Sequence, residues 1–169
     1  GIITANPANG REGVFSKGPI CIRAEDWDLL LTQGQPVVNL HIPRCGPLTP
    51  QAVDISLASA REFFAMQKFP FHIGVCDSWL LDPALAHIAA PGSNIYQFMQ
   101  RFFKYPVGND SSAIDYLFEH GMNDPASLVA QGKNSLQKSV GAYLLSGGRL
   151  HDTGGFLLFE DSQHSPTQA

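Results

Sequence analysis

The residues best equipped for chemistry fall in two short runs. The first is "NLHIPRCGPLTP", residues 39–50, with His41, Arg44, Cys45 and Thr49. The second is "FHIGVCDS", residues 71–78, with His72, Cys76, Asp77 and Ser78. Three chemistries suit these residue types. A strand that turns through a glycine loop into a helix leaves unpaired N–H groups and a positive dipole end, which suit phosphate or pyrophosphate. Arg44 adds a fixed charge and a bidentate fork there, and Thr49 a hydroxyl. The plain alternative is an ordinary strand–helix turn with a surface arginine. Neither GxxxxGK(S/T) nor GxGxxG is present, so nucleotide folds have no motif support. In a second chemistry Cys76 or Cys45 is a nucleophile with His41 or His72 as base. No family signature surrounds "GVCDS", and buried cysteine commonly behaves as a small hydrophobe. In a third, His41, Cys45, His72 and Cys76 gather round a metal, but no CxxC or HxxxH spacing supports it and no metal is expected.

The elements that must position these runs follow from periodicity and punctuation. "PICIRAED" alternates as a strand. "WDLLLT", "GQP" and "VVNLHI" read as a hairpin of two apolar runs around a turn. Thr49 then Pro50 is a helix start, an N-cap followed by proline at the first helical position. Val53, Leu57, Ala60 and Phe64 fall on one helical stripe, and the helix should fade near Lys68 because Pro70 restricts Phe69. "FHIGVCD" is a strand, with Gly74 marking a bulge or a close backbone approach. Asp82-Pro83 opens a short helix, residues 94–103 form another, and Asp110 or Ser111 caps a third that Gly121 closes. Ser135 to Leu145 is the last helix and "GGFLLFE" the last strand. The expected order is β-β-β-α-β-α-α-α-α-β. Residues 1–13 read as an arm or linker, 14–160 as one domain and 161–169 as a loose tail.

Bulk properties bound the partners. The chain has 169 residues, 44% hydrophobic and 15% charged, enough for one domain with a sizeable core. Its formal net charge is −4. With no basic block, nucleic acid is not expected, and no apolar run is long enough for a membrane. Three scattered cysteines argue against a disulfide framework and fit a reducing, cytoplasmic setting.

The stretches "VVNLHIPRCGPLTPQAVDISLASAREFF", "FHIGVCDSWLLDPAL", "SNIYQFMQRF" and "SLQKSVGAYLLSGGRLHDTGGFLLF" resemble the GNAT acyltransferase superfamily. More closely, they resemble the GNAT-like C-terminal domain of bacterial acyltransferase domain-containing proteins. The resemblance implies an α/β fold, a mixed, mostly antiparallel sheet flanked by helices. It also implies a preceding N-terminal domain that is missing here, as a partner domain, or else a homodimer. In that superfamily the strand before the loop splays from its neighbour and acyl-coenzyme A lies in the gap. Carried over, Asn39, Leu40, His41 and Ile42 line the pantetheine arm. Arg44, Cys45, Gly46, Leu48 and Thr49 hold the pyrophosphate. The superfamily's loop reads Q/R-x-x-G-x-G/A. Arg44 matches it, the glycine spacing departs from it, and Pro47 removes one N–H donor.

Acyl transfer from a thioester to an amine needs a deprotonated amine, an aligned carbonyl and an oxyanion donor, with proximity supplying much of the rate. By order along the chain Tyr96 matches the superfamily's tyrosine acid. For a base, His41 and Asp77, each at a strand end, are best placed. Each has a plain alternative: Tyr96 packed on the core, His41 satisfied by a loop carbonyl, Asp77 capping the next segment. The expected activity is acyl-CoA-dependent N-acyl transfer to a small amine, by direct attack, with acetyl-CoA or another acyl-CoA as donor. The rival readings are a GNAT-like binding or structural module without catalysis and a thiol hydrolase built on Cys76.

Overall fold

The computed structural model describes residues 1–6, 8–9, 14–15, 18–43, 45–110, 113–117 and 124–159. Arg44, Ser111, Gly121 and the 161–169 tail lie outside them. Strand β1 (Ile2–Ala5) pairs antiparallel with β4 (Ile20–Arg23), and the short β2 (Ala8–Asn9) with β3 (Val14–Phe15). The main sheet has four strands, β5 (Val38–Asn39), β6 (Ile73–Ser78), β7 (Phe103–Asp110) and β8 (His151–Leu158), in the order β5-β6-β8-β7. Only β5 and β6 run parallel; the other pairings are antiparallel. The sheet is therefore mixed and mostly antiparallel, flanked by helices, as the sequence led one to expect.

The parallel pair needs a crossover, and helix α1 (Pro50–Met66) supplies it. Thr49 is extended and its Oγ1 accepts the Ala52 N–H at 3.2 Å, with Pro50 in the first turn. Val53 is buried, and Leu57, Ala60 and Phe64 are half-buried on the expected stripe. The helix ends at Met66, and Lys68 takes a positive φ of 54° before Pro70. Further on come α2 (Leu85–Ile88), α3 (Asn94–Met99), α4 (Ala113–Leu117), α5 (Pro125–Gln131) and α6 (Ser135–Leu145).

The core lies between the sheet and these helices. Leu81, Leu85, Met99, Phe102, Leu128 and Val140 are its largest fully buried side chains. Two glycines let it close. A Cβ on Gly155 would sit 2.7 Å from Leu81 Cδ1 and 3.0 Å from Phe102 Cβ, so the strand must be bare under those two side chains. A Cβ on Gly74 would meet Phe159 at 2.8 Å and Leu40 at 3.0 Å, the close approach expected there. Buried Asp82 ties the segment after β6 to the start of β8. Its carboxylate accepts the Ala84 N–H through one oxygen and the His151 N–H through the other.

Four expectations are corrected. The hairpin over residues 27–42 does not form. A turn closes between Thr32 and Gln35, but Pro36 has no N–H for a ladder, Leu29 is 80% exposed, and β5 pairs with β6 instead. The helix over 94–103 stops at Met99, and Phe103 opens β7. That strand contains Pro106, which is tolerated because β7 is at the sheet edge. The first residues carry a strand rather than only an arm. Helix α5 was missed although Asp124-Pro125 repeats the Thr49-Pro50 signal: Asp124 Oδ1 accepts the Ala126 N–H.

Candidate functional site

The site begins where β5 leaves β6. Val38 and Asn39 pair with Gly74 and Val75, and the Leu40 N–H donates to the Val75 carbonyl at 2.7 Å. Past Leu40, no backbone hydrogen bond among the described residues joins 41–43 to β6. Strand β6 itself continues to Ser78, paired on its other edge with β8. The chain therefore opens a V between the two strands just before the loop that leads into α1.

Two cavities share that V. One, of about 400 Å³, lies under α1 and is walled by Leu48, Val53, Leu57, Phe98, Phe102 and Leu157. The other, of about 560 Å³, is bounded by Asn39, Cys76, Asp77, Ser78, Tyr116 and Leu136. Leu40, His41, Ile42 and Pro43 line both, so the departing strand is a wall common to the two. Volumes in this range suit organic ligands and cofactor arms.

The loop supplies fewer donors than its outline promises. Pro47 and Pro50 have no N–H. The Thr49 N–H is bonded to the Pro47 carbonyl at 2.8 Å, and the Val53 N–H to the Thr49 carbonyl at 3.0 Å. The Ala52 N–H goes to Thr49 Oγ1, so that hydroxyl serves the helix. Gly46, at φ 157°, and Leu48 line both cavities. With Gln51, they keep backbone N–H groups that bond to no other described residue. Cys45 and Thr49 line the smaller cavity.

Of the residues singled out for proton transfer, His41 and Asp77 come together on the larger cavity. Tyr96 does not join them. It sits in the first turn of α3, half-buried, its N–H held by Ser93 Oγ, and lines neither cavity. The phenol that reaches the larger cavity is Tyr116, from α4, 55% exposed. The sequence marked its segment only as a helix. Asp77 also faces across the sheet. Its partner on β8 is Gly154, whose partner on β7 is Tyr105. The Tyr105 ring lies over Gly154, in the space a Cβ would take. Burial first, and then the Asp77 charge, push the Tyr105 phenol up from its ordinary value near 10.

Cys76 is in the core, 2% exposed. Burial, and secondarily Asp77, push its thiol from about 9.0 up to about 11, so it is not a thiolate at neutral pH. Cys21 and Cys45 are exposed. Iodoacetamide at pH 8 is expected to modify those two and spare Cys76 until the chain is denatured. Modification of native Cys76, read by peptide mass spectrometry, would restore the thiol-hydrolase reading. The folded chain keeps a proton that the unfolded chain has lost, so this stabilisation is full below about pH 9 and is lost as pH rises to about 11. His41, Cys45, His72 and Cys76 do not assemble, and no group of three or more metal-ligating side chains occurs among the described residues.

A mixed sheet whose parallel pair splays at a loop leading into a helix N-terminus is the frame of a GNAT-like fold. The family profile described as GNAT-like C-terminal domain matches residues 7–157, and the chain belongs to that family. Solved structures agree. An acyltransferase in complex with decanoyl-CoA shares 28% identity over 76% of this chain and 41% of its own, with a TM-score of 0.65. An acyltransferase in complex with decanoyl-CoA and teicoplanin shares 25% over 94% of this chain and 45% of its own, TM-score 0.63. An acyltransferase mutant with octanoyl-CoA shares 29% over 72% and 40%, TM-score 0.63. The chain thus spans less than half the length of these neighbours. No curated protein matches it. Among the described residues no helix is long and apolar enough to cross a membrane.

Proposed function

We propose that the chain binds an acyl-CoA and transfers its acyl group to an amine by direct attack. The observation that carries this reading is the parting of β5 from β6 after Leu40, between two cavities and beside the N-terminus of α1. The pantetheine arm runs along residues 40–42, whose backbone groups are not used by β6, through the smaller, apolar cavity. The pyrophosphate rests on the loop, against the Gly46, Leu48 and Gln51 N–H groups, with Arg44 supplying the fixed charge. Acyl-CoA ligands of the structural neighbours support a medium-length acyl group rather than acetyl.

In this arrangement the thioester carbonyl sits at the V, facing the larger cavity. The amine enters from that cavity, and Asp77 or His41 takes its proton as the C–N bond forms. The tetrahedral adduct collapses with loss of the coenzyme A thiolate, which Tyr116 is placed to protonate. One neighbour's complex with teicoplanin favours an acceptor larger than the small amine first expected. One observation favours a second reading, a binding module without catalysis: two prolines and the Thr49-to-Pro47 bond leave the cradle short of N–H donors.

The test is calorimetric titration of acyl-CoA into the chain and into Arg44→Ala. Loss of one charge-assisted bidentate contact should weaken binding about 10- to 100-fold. Equal affinity in the two chains would remove the pyrophosphate from this loop. Binding without turnover of any amine would favour the module.

A further inference from the structure

A third cavity adjoins the larger one. It has a volume of about 400 Å³ and lies between the turn joining α2 to α3 and the first turns of α6. Ile95, Asn134 and Leu136 line both, so the two adjoin at these side chains. Ile88 and Ala89 on one side and Leu136 and Ser139 on the other form its walls beyond that junction. We propose that this cleft receives the tail of the acyl group, and that Ile88 and Ser139 set the length it accepts. The proposal rests on the acyl-CoA reading above and adds to it the path of the chain.

Three features of the cleft fit an acyl tail and not a polar acceptor. Among the described residues no charged side chain lines it, so none of them offers a partner to a cationic amine or an anionic group. Two of its five polar lining residues are engaged as helix caps, and Asn94, Ser135 and Ser139 complete the polar part of its lining. Ser93 Oγ accepts the Tyr96 N–H, and Asn134 Oδ1 accepts the Gln137 N–H at 2.9 Å. The rest of its lining is apolar, chiefly the half-buried Ile88, Ile95 and Leu136. Finally, the cleft continues the line that a thioester at the V would start. A tail leaving the carbonyl beside His41 and Asp77 passes Ile95 and Leu136 before it reaches Ile88 and Ser139. Ser139 stands one turn beyond Leu136 on the same face of α6, so a larger side chain there fills the cleft without touching the V.

The test compares acetyl-CoA, octanoyl-CoA and decanoyl-CoA by calorimetry on the full chain and on Ser139→Phe, with Ser139→Leu as a milder filler and thermal melts for each. A fully buried methylene is worth about fourfold in affinity. With partial burial, the two longer thioesters should bind the intact chain about 10- to 100-fold more tightly than acetyl-CoA. Ser139→Phe should erase that advantage and leave acetyl-CoA unchanged, with Ser139→Leu losing more for decanoyl-CoA than for octanoyl-CoA. Three thioesters of equal affinity in the intact chain would overturn the tail cleft and leave the acyl-CoA reading standing. An equal loss for all three in a folded filler variant would do the same. Binding of none of them to the intact chain overturns both.

Discussion

Asp77→Asn is expected to lower acyl transfer by about 10²- to 10⁴-fold, the usual contribution of a positioned base, while leaving acyl-CoA affinity unchanged. Asp77 stands near the end of β6, where β5 has already turned away, so its carboxylate opens onto the larger cavity with His41. It is no part of the loop that holds the pyrophosphate in the proposed pose, hence the separation of rate from binding. His41→Gln is the matching control. If His41 is the base, the loss moves to that variant and Asp77→Asn stays active. The asparagine variant also has a readout that needs no acceptor. Asp77 sits across the bare Gly154 backbone from Tyr105 and beside Cys76, and its charge helps hold both side chains protonated. Removing that charge should move the Tyr105 ionisation down, seen by ultraviolet titration of the four tyrosines, and should make native Cys76 ionise earlier. A variant in which neither titration moves would mean that Asp77 turns to solvent, away from the sheet face, and the base assignment would pass to His41.

The parts of this fold that were legible in the sequence are those with a local cause. Thr49-Pro50 wrote the start of α1, Pro70 its end, and the spacing of Val53, Leu57, Ala60 and Phe64 its buried stripe. Gly74 announced a close approach because no side chain could fit there. What was not legible depends on partners distant in sequence. "WDLLLT" has the composition of a strand, but a strand exists only where another chain segment offers a ladder, and β5 found its partner beyond a helix. Strand β7 had no local mark either, and only the sheet order places its Pro106 on an edge. The site divided along the same line. His41 and Asp77 were singled out because each stands at the end of an apolar run, and both do line the larger cavity. Tyr116 was not, because α4 reaches the larger cavity from a part of the chain with no local mark of that contact. Tyr96 was placed by order along the chain, and order does not say which way a helix turns its side chains. The donor count of the loop needed coordinates too, since the sequence shows Pro47 but not that the Thr49 N–H is bonded to it.

Phe102→Ala should cost about 3–5 kcal/mol of stability, the range for truncating a fully buried phenylalanine. The ring is fully buried and packs against Phe98 with centroids 5.1 Å apart. Its Cβ lies over Gly155, so the side chain is the contact through which the turn between α3 and β7 rests on the centre of the sheet. Neither neighbour can fill the gap: Gly155 has no side chain, and Phe98 is fixed by its own place in α3. In a chain of this size each kcal/mol lowers the melting temperature by about 2–4 °C, so a fall of roughly 10 °C is expected. Phe63→Ala is the control, since that ring is 52% exposed on α1 and its loss should change stability by no more than about 0.5 kcal/mol. Phe102 also walls the cavity assigned to the pantetheine arm. At a temperature where the variant is still folded, its acyl-CoA affinity should therefore fall as well, whereas Phe63→Ala keeps both properties. A Phe102→Ala chain that melts like the parent would mean that the turn after α3 does not rest on β8. The smaller cavity would then lose the floor that gives it its shape.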